Sequence, residues 1–223
     1  DRGVLAHDLR RPLPFDGSSF DAVYSSHVLE HLTPSAAKQL LREKYRVLKV
    51  GGICRIVVPD LEMICREYIR CLDEAVAEPS EKNKSHYKWM ILELLDEMVR
   101  DKSGGLLRET LVRRDFDDSF VKSRMGDQFQ KYYKTPTRKN PFRDFFRKVR
   151  QTVKSLIHST DPRKTGEVHR WMYDRFSLRL LVEEVGFECA AVKTFDQSEI
   201  PFWGKYNLDK SKISDLPRKP DSL

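Results

Sequence analysis

The sequence predicts an α/β fold built on a parallel sheet and interrupted by a mostly helical insertion, and three observations carry that expectation. A strand-like run, an amphipathic helix and a second strand-like run follow one another between residues 19 and 59. The second run, ICRIVVP (53–59), is apolar almost throughout, as expected of a strand covered on both faces. After a stretch of different character at 61–165, a helix and then a strand pattern return at 177–195.

Taken in order, Val4-Leu5-Ala6-His7 is a short apolar run ending at Asp8, in keeping with the tail of a strand. RRPLPFDGSS carries two prolines and an Asp-Gly pair and reads as loop. The β-branched and aromatic residues of SFDAVYSS (19–26) predict a buried strand. Thr33-Pro34 offers an N-cap and a proline at the first helical position. Ala37, Leu40, Leu41, Tyr45 and Leu48 then recur at helical spacing up to Gly51-Gly52, a pair able to take the positive φ of a helix C-terminus. The crossover is long enough for parallel pairing, so this segment predicts a βαβ unit.

Beyond Pro59-Asp60 the pattern changes. Residues 61–76 and 85–100 read as helices and 101–140 as irregular, charged, turn-rich chain. NPFRDFFRKVRQTVKSLIH reads as a basic amphipathic helix over 142–157, with Phe142, Phe145, Phe146, Val149, Val153, Leu156 and Ile157 on one stripe. A helix (177–185), a stop at Gly186 and a strand (187–195) close the pattern. The expected organisation is therefore a first part of a sheet domain at 1–60, a helical basic insertion at 61–165, and a second part of the sheet domain at 166–223.

Hydrophobic residues make up 39 % and charged residues 34 % of the chain, which points to a soluble globular protein and away from disorder. No apolar run approaches the roughly 18–20 residues that cross a bilayer, and nothing marks the chain for export, so a cytoplasmic setting is expected. Cys54, Cys65, Cys71 and Cys189 form no C-x-x-C and predict reduced thiols, with Cys54 and Cys189 inside apolar strand-like runs. The net charge of +7 is concentrated. Residues 131–164 hold eleven Lys/Arg against Asp144 and Asp161, so the basicity belongs to one segment and not to the whole chain.

Ligands of open parallel sheets bind outside the C-terminal ends of the strands. On this reading Asp8, Ser25, Ser26, His27 and Asp60 gather there, and Asp8 can accept a hydrogen bond from an exocyclic amine. Ordinary turn and cap roles remain open for all of them, for Asp60 above all.

HDLRRPLPFDGSSFDAVYSSHVLEHL followed by LLREKYRVLKVGGICRIVVPD resembles the central part of class I S-adenosylmethionine-dependent methyltransferases, of the methyltransferase type 11-like kind. The marks are LPF-x-x-x-SFD-x-V, then V-L-E-H-L, then E-x-x-R-V-L-K-x-G-G, in that order. FSLRLLVEEVGFECAAV resembles the next helix and strand of the family. The resemblance implies a Rossmann-like sheet with S-adenosylmethionine as cofactor. It implies that Asp8 contacts the adenine amino group and that the Leu9 backbone N–H meets the ring. Ser25, Ser26 and His27 would lie beside the methionine half and the point of methyl transfer. The family's first strand, its G-x-G-x-G turn and its ribose-binding acid have no counterpart, since none of the ten glycines forms G-x-G. The sheet is thus expected to be N-terminally incomplete and the chain to be part of a longer protein.

Further clusters add alternatives. His27-Val28-Leu29-Glu30-His31 fits H-x-x-E-H, which on a long helix could bind zinc for a hydrolase. Thr33-Pro34 ends that turn too soon, and no metal is expected. EVHRWMYDRFS (167–177) offers His169 as a base and Trp171 and Tyr173 as substrate-side residues, with core packing the alternative for the two rings. The basic helix could meet an anionic surface or polymer, or be a solvated face, and no RNA-binding or helix-turn-helix signature points to nucleic acid. The expected function is methyl transfer to a small-molecule or saccharide hydroxyl, as in polysaccharide assembly, with His27 or His169 as base. A non-catalytic binding module using the basic insertion is the alternative.

Overall fold

The computed structural model describes residues 3–133, 161–212 and 214–223. The chain divides into two compact units, one of Asp1–Met63, Arg170–Pro217 and Asp221–Leu223, the other of Ile64–His169 and Arg218–Pro220.

In the first unit, β1 (Phe20–Ser26), α1 (Pro34–Val47) and β2 (Leu48–Val57) form a βαβ unit, with β1 and β2 paired in parallel. Thr33 caps α1 through its side-chain oxygen, which accepts from the Ala36 N–H, and Pro34 opens the helix. The helix ends at Val47 and not at the glycine pair, with Leu48 already extended. Gly51 and Gly52 serve β2 instead. Between Phe20↔Leu48 and Ala22↔Ile53 two steps along β1 match five along β2, so β2 must fold out its extra residues. Gly51 does this at φ +76°, and a Cβ on Gly52 would lie 2.9 Å from the Lys49 carbonyl and 3.2 Å from that of Asp21.

One side of this pair carries the core. Leu29, Ala37, Leu40, Leu41, Val58 and Tyr173 pack with Val182 of α8 (Arg175–Val185). Asp174 and Ser177 begin α8 with a reciprocal capping box. Leu13 and Phe15 are held to α1, since Arg46 donates to both carbonyls and Glu43 accepts from the Leu13 N–H at 2.7 Å.

Tyr24 and Arg55 project from β1 and β2 and meet Asp209, at 2.6 Å from the Tyr24 hydroxyl and 2.7 Å from Arg55 Nε. Arg55 also lies over the Trp203 ring at 4.5 Å. The strand expected at 187–195 is not formed. Its last carbonyls are taken by side chains, Thr194 by Arg55 and Phe195 by the Trp203 indole, and Cys189 sits exposed at φ +56° where a strand was expected. Val4 and Leu5 are likewise exposed and form no strand. Residues 221–223 run antiparallel beside 58–60, with Val58 and Leu223 exchanging both backbone bonds. The result is an α/β unit with a two-stranded parallel sheet among the described residues, consistent with a Rossmann-like class.

The second unit is helical, with α2 (Leu61–Ala77), α3 (Glu81–Val99), α4 (Gly105–Arg113), α5 (Asp118–Met125), α6 (Asp127–Tyr133) and α7 (Pro162–Thr165). Ser80 caps α3 and so shortens the expected linker. The helices α4 to α6 replace the irregular chain expected at 101–133. Each is short, and local devices hold them: the α4 N-terminus rests on Asp96, which accepts from the Leu106 N–H, and Asp117 caps α5. Trp89, Met90, Leu111, Val121 and Phe129 are buried, and His86 stacks on Phe120 at 4.0 Å between centroids. Arg100 joins Asp96 and Glu167. His169 donates its backbone N–H to the Glu97 carbonyl and sets Nε2 3.0 Å from the Glu97 carboxylate. The basic helix expected at 142–157 lies outside the described residues. No helix among the described residues is long and apolar enough to cross a membrane.

Leu41 is fully buried between α1 and α8, so Leu41→Ala is expected to lower stability by about 2–5 kcal/mol in urea unfolding. Burial opposes the charge on Glu97, but His169, then Arg100 and Lys219, outweigh it and bring the carboxyl down to about 2. A carboxyl lowered on folding contributes stability that is complete above its unfolded value of about 4.3 and is lost as pH falls toward the folded value. Glu97→Gln is therefore expected to flatten the acid titration of helix content between about pH 4.3 and about pH 2 while removing stability at neutral pH.

Candidate functional site

The C-terminal end of β1 turns sharply. His27 donates its backbone N–H to the Val57 carbonyl at 2.8 Å and then takes φ +53°, the left-handed region that a non-glycine residue enters only under constraint. Such outliers cluster where a side chain must be aimed. Here the turn sets the His27 ring between two groups. Nδ1 lies 3.1 Å from Glu30 Oε1, and Nε2 lies 3.0 Å from the Ser222 hydroxyl.

Glu30 is fully buried in the 3-10 turn Leu29–His31. Its carbonyl accepts from the N–H groups of Arg170 and Trp171 at 2.6 and 3.2 Å, which ties 170–171 to this turn. Burial opposes ionisation of the Glu30 carboxyl, but the His27 hydrogen bond and charge, with a further contribution from His31, hold it below its ordinary value. His31 Nε2 stands 3.9 Å from the same oxygen that His27 approaches. The H-x-x-E-H residues thus do not lie along one α-helix: His27 follows the last residue of β1 and residues 29–31 make one 3-10 turn. The shared helix face that a zinc hydrolase of this signature needs is not formed.

The other expected site residues fall in different surroundings. Asp8 is half-buried and engaged by Arg10, whose side chain contributes bonds at 2.9 and 2.8 Å and whose backbone N–H adds one at 3.0 Å, holding the carboxyl well below its usual range. Leu9 beside it is exposed. Ser25 points toward α1 and accepts from Lys44, whose amine is buried. Burial pulls the Lys44 amine below its ordinary value, against the pull of Cys54. Ser26 lies on the opposite face with Tyr24, whose phenol is pushed up to about 12 by burial and then by Asp209, against the pull of Ser26. Asp60 accepts from the Met63 N–H at 3.2 Å and begins α2, a capping role.

Trp171 remains half exposed, whereas Tyr173 is buried in the core with its hydroxyl pushed up to about 12 by burial and by Glu30. His169 belongs to the second unit and to Glu97. The structure therefore brings His27, Glu30, Trp171 and Tyr173 to one turn. The orienting contact of Glu30, the Ser222 hydroxyl and the buried Lys44 were not expected. Only Glu30 left a signal, its i, i+3 spacing from His27.

A purine edge asks for one acceptor and one backbone donor. A carboxylate still partly open to solvent keeps lone pairs beyond those Arg10 uses, so Asp8 with Leu9 fits that demand. Ser25, turned under α1, does not fit a role at the strand end.

No curated protein and no solved structure matches the chain. Residues 2–56 match a family model described as a methyltransferase domain, the segment that spans Asp8, β1, His27, α1 and most of β2. Over that segment the chain is similar to a methyltransferase domain, which supports a link to the class I S-adenosylmethionine-dependent methyltransferase family.

Proposed function

We propose that this chain binds S-adenosylmethionine and serves methyl transfer to a small-molecule or saccharide hydroxyl, with His27 as the proton acceptor. The observation that carries this reading is the hydroxyl of Ser222 lying 3.0 Å from His27 Nε2, beside a segment that matches a methyltransferase domain. That distance is the one a general base needs toward the alcohol it deprotonates, and Ser222 stands where an acceptor hydroxyl would enter.

When bound, the cofactor supplies an activated methyl group on a sulfonium. Asp8 and Leu9 would hold its adenine, and Ser26 and His27 would flank the methionine half. The protein's remaining work is alignment, which favours reaction when acceptor and donor are fixed in line, and removal of one proton at Nε2. Trp171, half exposed and tied to the Glu30 turn, offers a ring beside which an acceptor can rest. A polysaccharide building block and a cytoplasmic setting are in keeping with this chemistry. His169 is kept by Glu97 in the second unit and is a second candidate base.

Calorimetric titration of the intact protein with S-adenosylmethionine is expected to give saturable heat. Asp8→Ala should weaken binding about tenfold, the worth of one hydrogen bond of about 1.4 kcal/mol. Absence of binding by the unaltered protein would refute the proposal.

A further inference from the structure

We propose that Glu30 is a positioning residue: its buried carboxylate holds the proton of His27 on Nδ1 and so makes Nε2 the basic end of the ring. This deepens the methyl-transfer reading and rests on it for the identity of the base.

A carboxylate removed from water needs a donor or a cation, because an unpaired buried charge costs several kcal/mol. Glu30 is fully buried with neither carboxylate oxygen in a regular hydrogen bond, and the His27 ring stands nearest to it, Nδ1 lying 3.1 Å from Oε1 against 3.9 Å for His31 Nε2. A proton on Nδ1 is the one placed to answer that carboxylate. A neutral imidazole carries one N–H, so Nε2 then presents a lone pair. The contact on that side agrees: a serine hydroxyl at 3.0 Å can donate to it. The backbone is shaped for the same end, since His27 takes a left-handed φ of +53° just past the last residue of β1.

The proton balance is simple. An acceptor O–H gives its proton to Nε2, the ring becomes imidazolium with N–H on both nitrogens, and the new charge faces Glu30, which stays ionised throughout. Tyr173, whose hydroxyl is also buried near Glu30, keeps its proton because burial and that carboxylate both push it up to about 12. The site thus holds one negative and one newly positive group in contact, with no second base in the pair.

Nitrogen-detected NMR of the His27 ring in the intact protein tests this without any assay of activity. The expected signature at neutral pH is the Nδ1–H tautomer. Glu30→Gln keeps the side chain's size but can either donate or accept, and should release the tautomer to a mixture. The same variant should lower kcat for methyl transfer by about 100-fold, within the range of a general base, with KM nearly unchanged. Glu30→Asp should recover part of that loss. A wild-type ring protonated at Nε2 overturns the proposal, as does a tautomer that Glu30→Gln leaves in place. Should Glu30→Gln fail to fold, the wild-type tautomer alone decides. A protein with the expected tautomer and its loss in the variant, but with no cofactor binding or methyl transfer, upholds the role of Glu30 in orienting the ring and removes the methyltransferase reading instead.

Discussion

Parallel pairing of β1 with β2 is the constraint from which the rest of the first unit follows. Two parallel strands cannot be joined by a tight turn, so the chain must cross over, and α1 is that crossover. Once α1 lies on the sheet its inner face has to be apolar, which gives Ala37, Leu40 and Leu41 their burial and brings α8 alongside. The glycine pair at 51–52 belongs to the same demand. It absorbs the mismatch in length between the strands, leaving Ala22 to Ser26 in register with Ile53 to Val57.

The same pairing decides where chemistry can sit. Both strands end together at Ser26 and Val57, and the backbone bond from His27 to Val57 is the last link of the ladder. Immediately beyond it the chain bends left-handed and the turn closes over a buried carboxylate. The side chain that emerges is thus mounted on the sheet and steadied from below. An arrangement of this kind is more rigid than a loop could offer.

Much of this was legible in the sequence, because much of it is local. Thr33-Pro34 announces α1 through a contact a few residues long, while α8 begins two residues before the expected 177, where Asp174 caps it. SFDAVYSS reads as a strand on composition alone. The failures share a different origin. The apolar run at 187–195 has the residues of a strand, yet Arg55 and Trp203 claim its carbonyls from afar. Helices α4 to α6 are too short for periodicity to show, and depend on Asp96 and Asp117 as anchors. At the site, the importance of position 27 could be read, but not the hand of its backbone. Ser222 could not be found at all, since 195 residues separate it from the ring it touches. The burial of Lys44 left no mark, because a charged residue gives no hint of being turned inward.

The closing contacts of the first unit also impose a schedule. Tyr24 waits for Asp209 across 185 residues, His27 waits for Ser222, and Val58 waits for Leu223. During synthesis at roughly 5–20 residues per second, that interval lasts on the order of ten seconds or more. Through all of it β1, α1 and β2 exist without the Asp209 contacts, while residues 64–169 of the second unit are made in between. Completion of this unit is therefore timed by the ribosome.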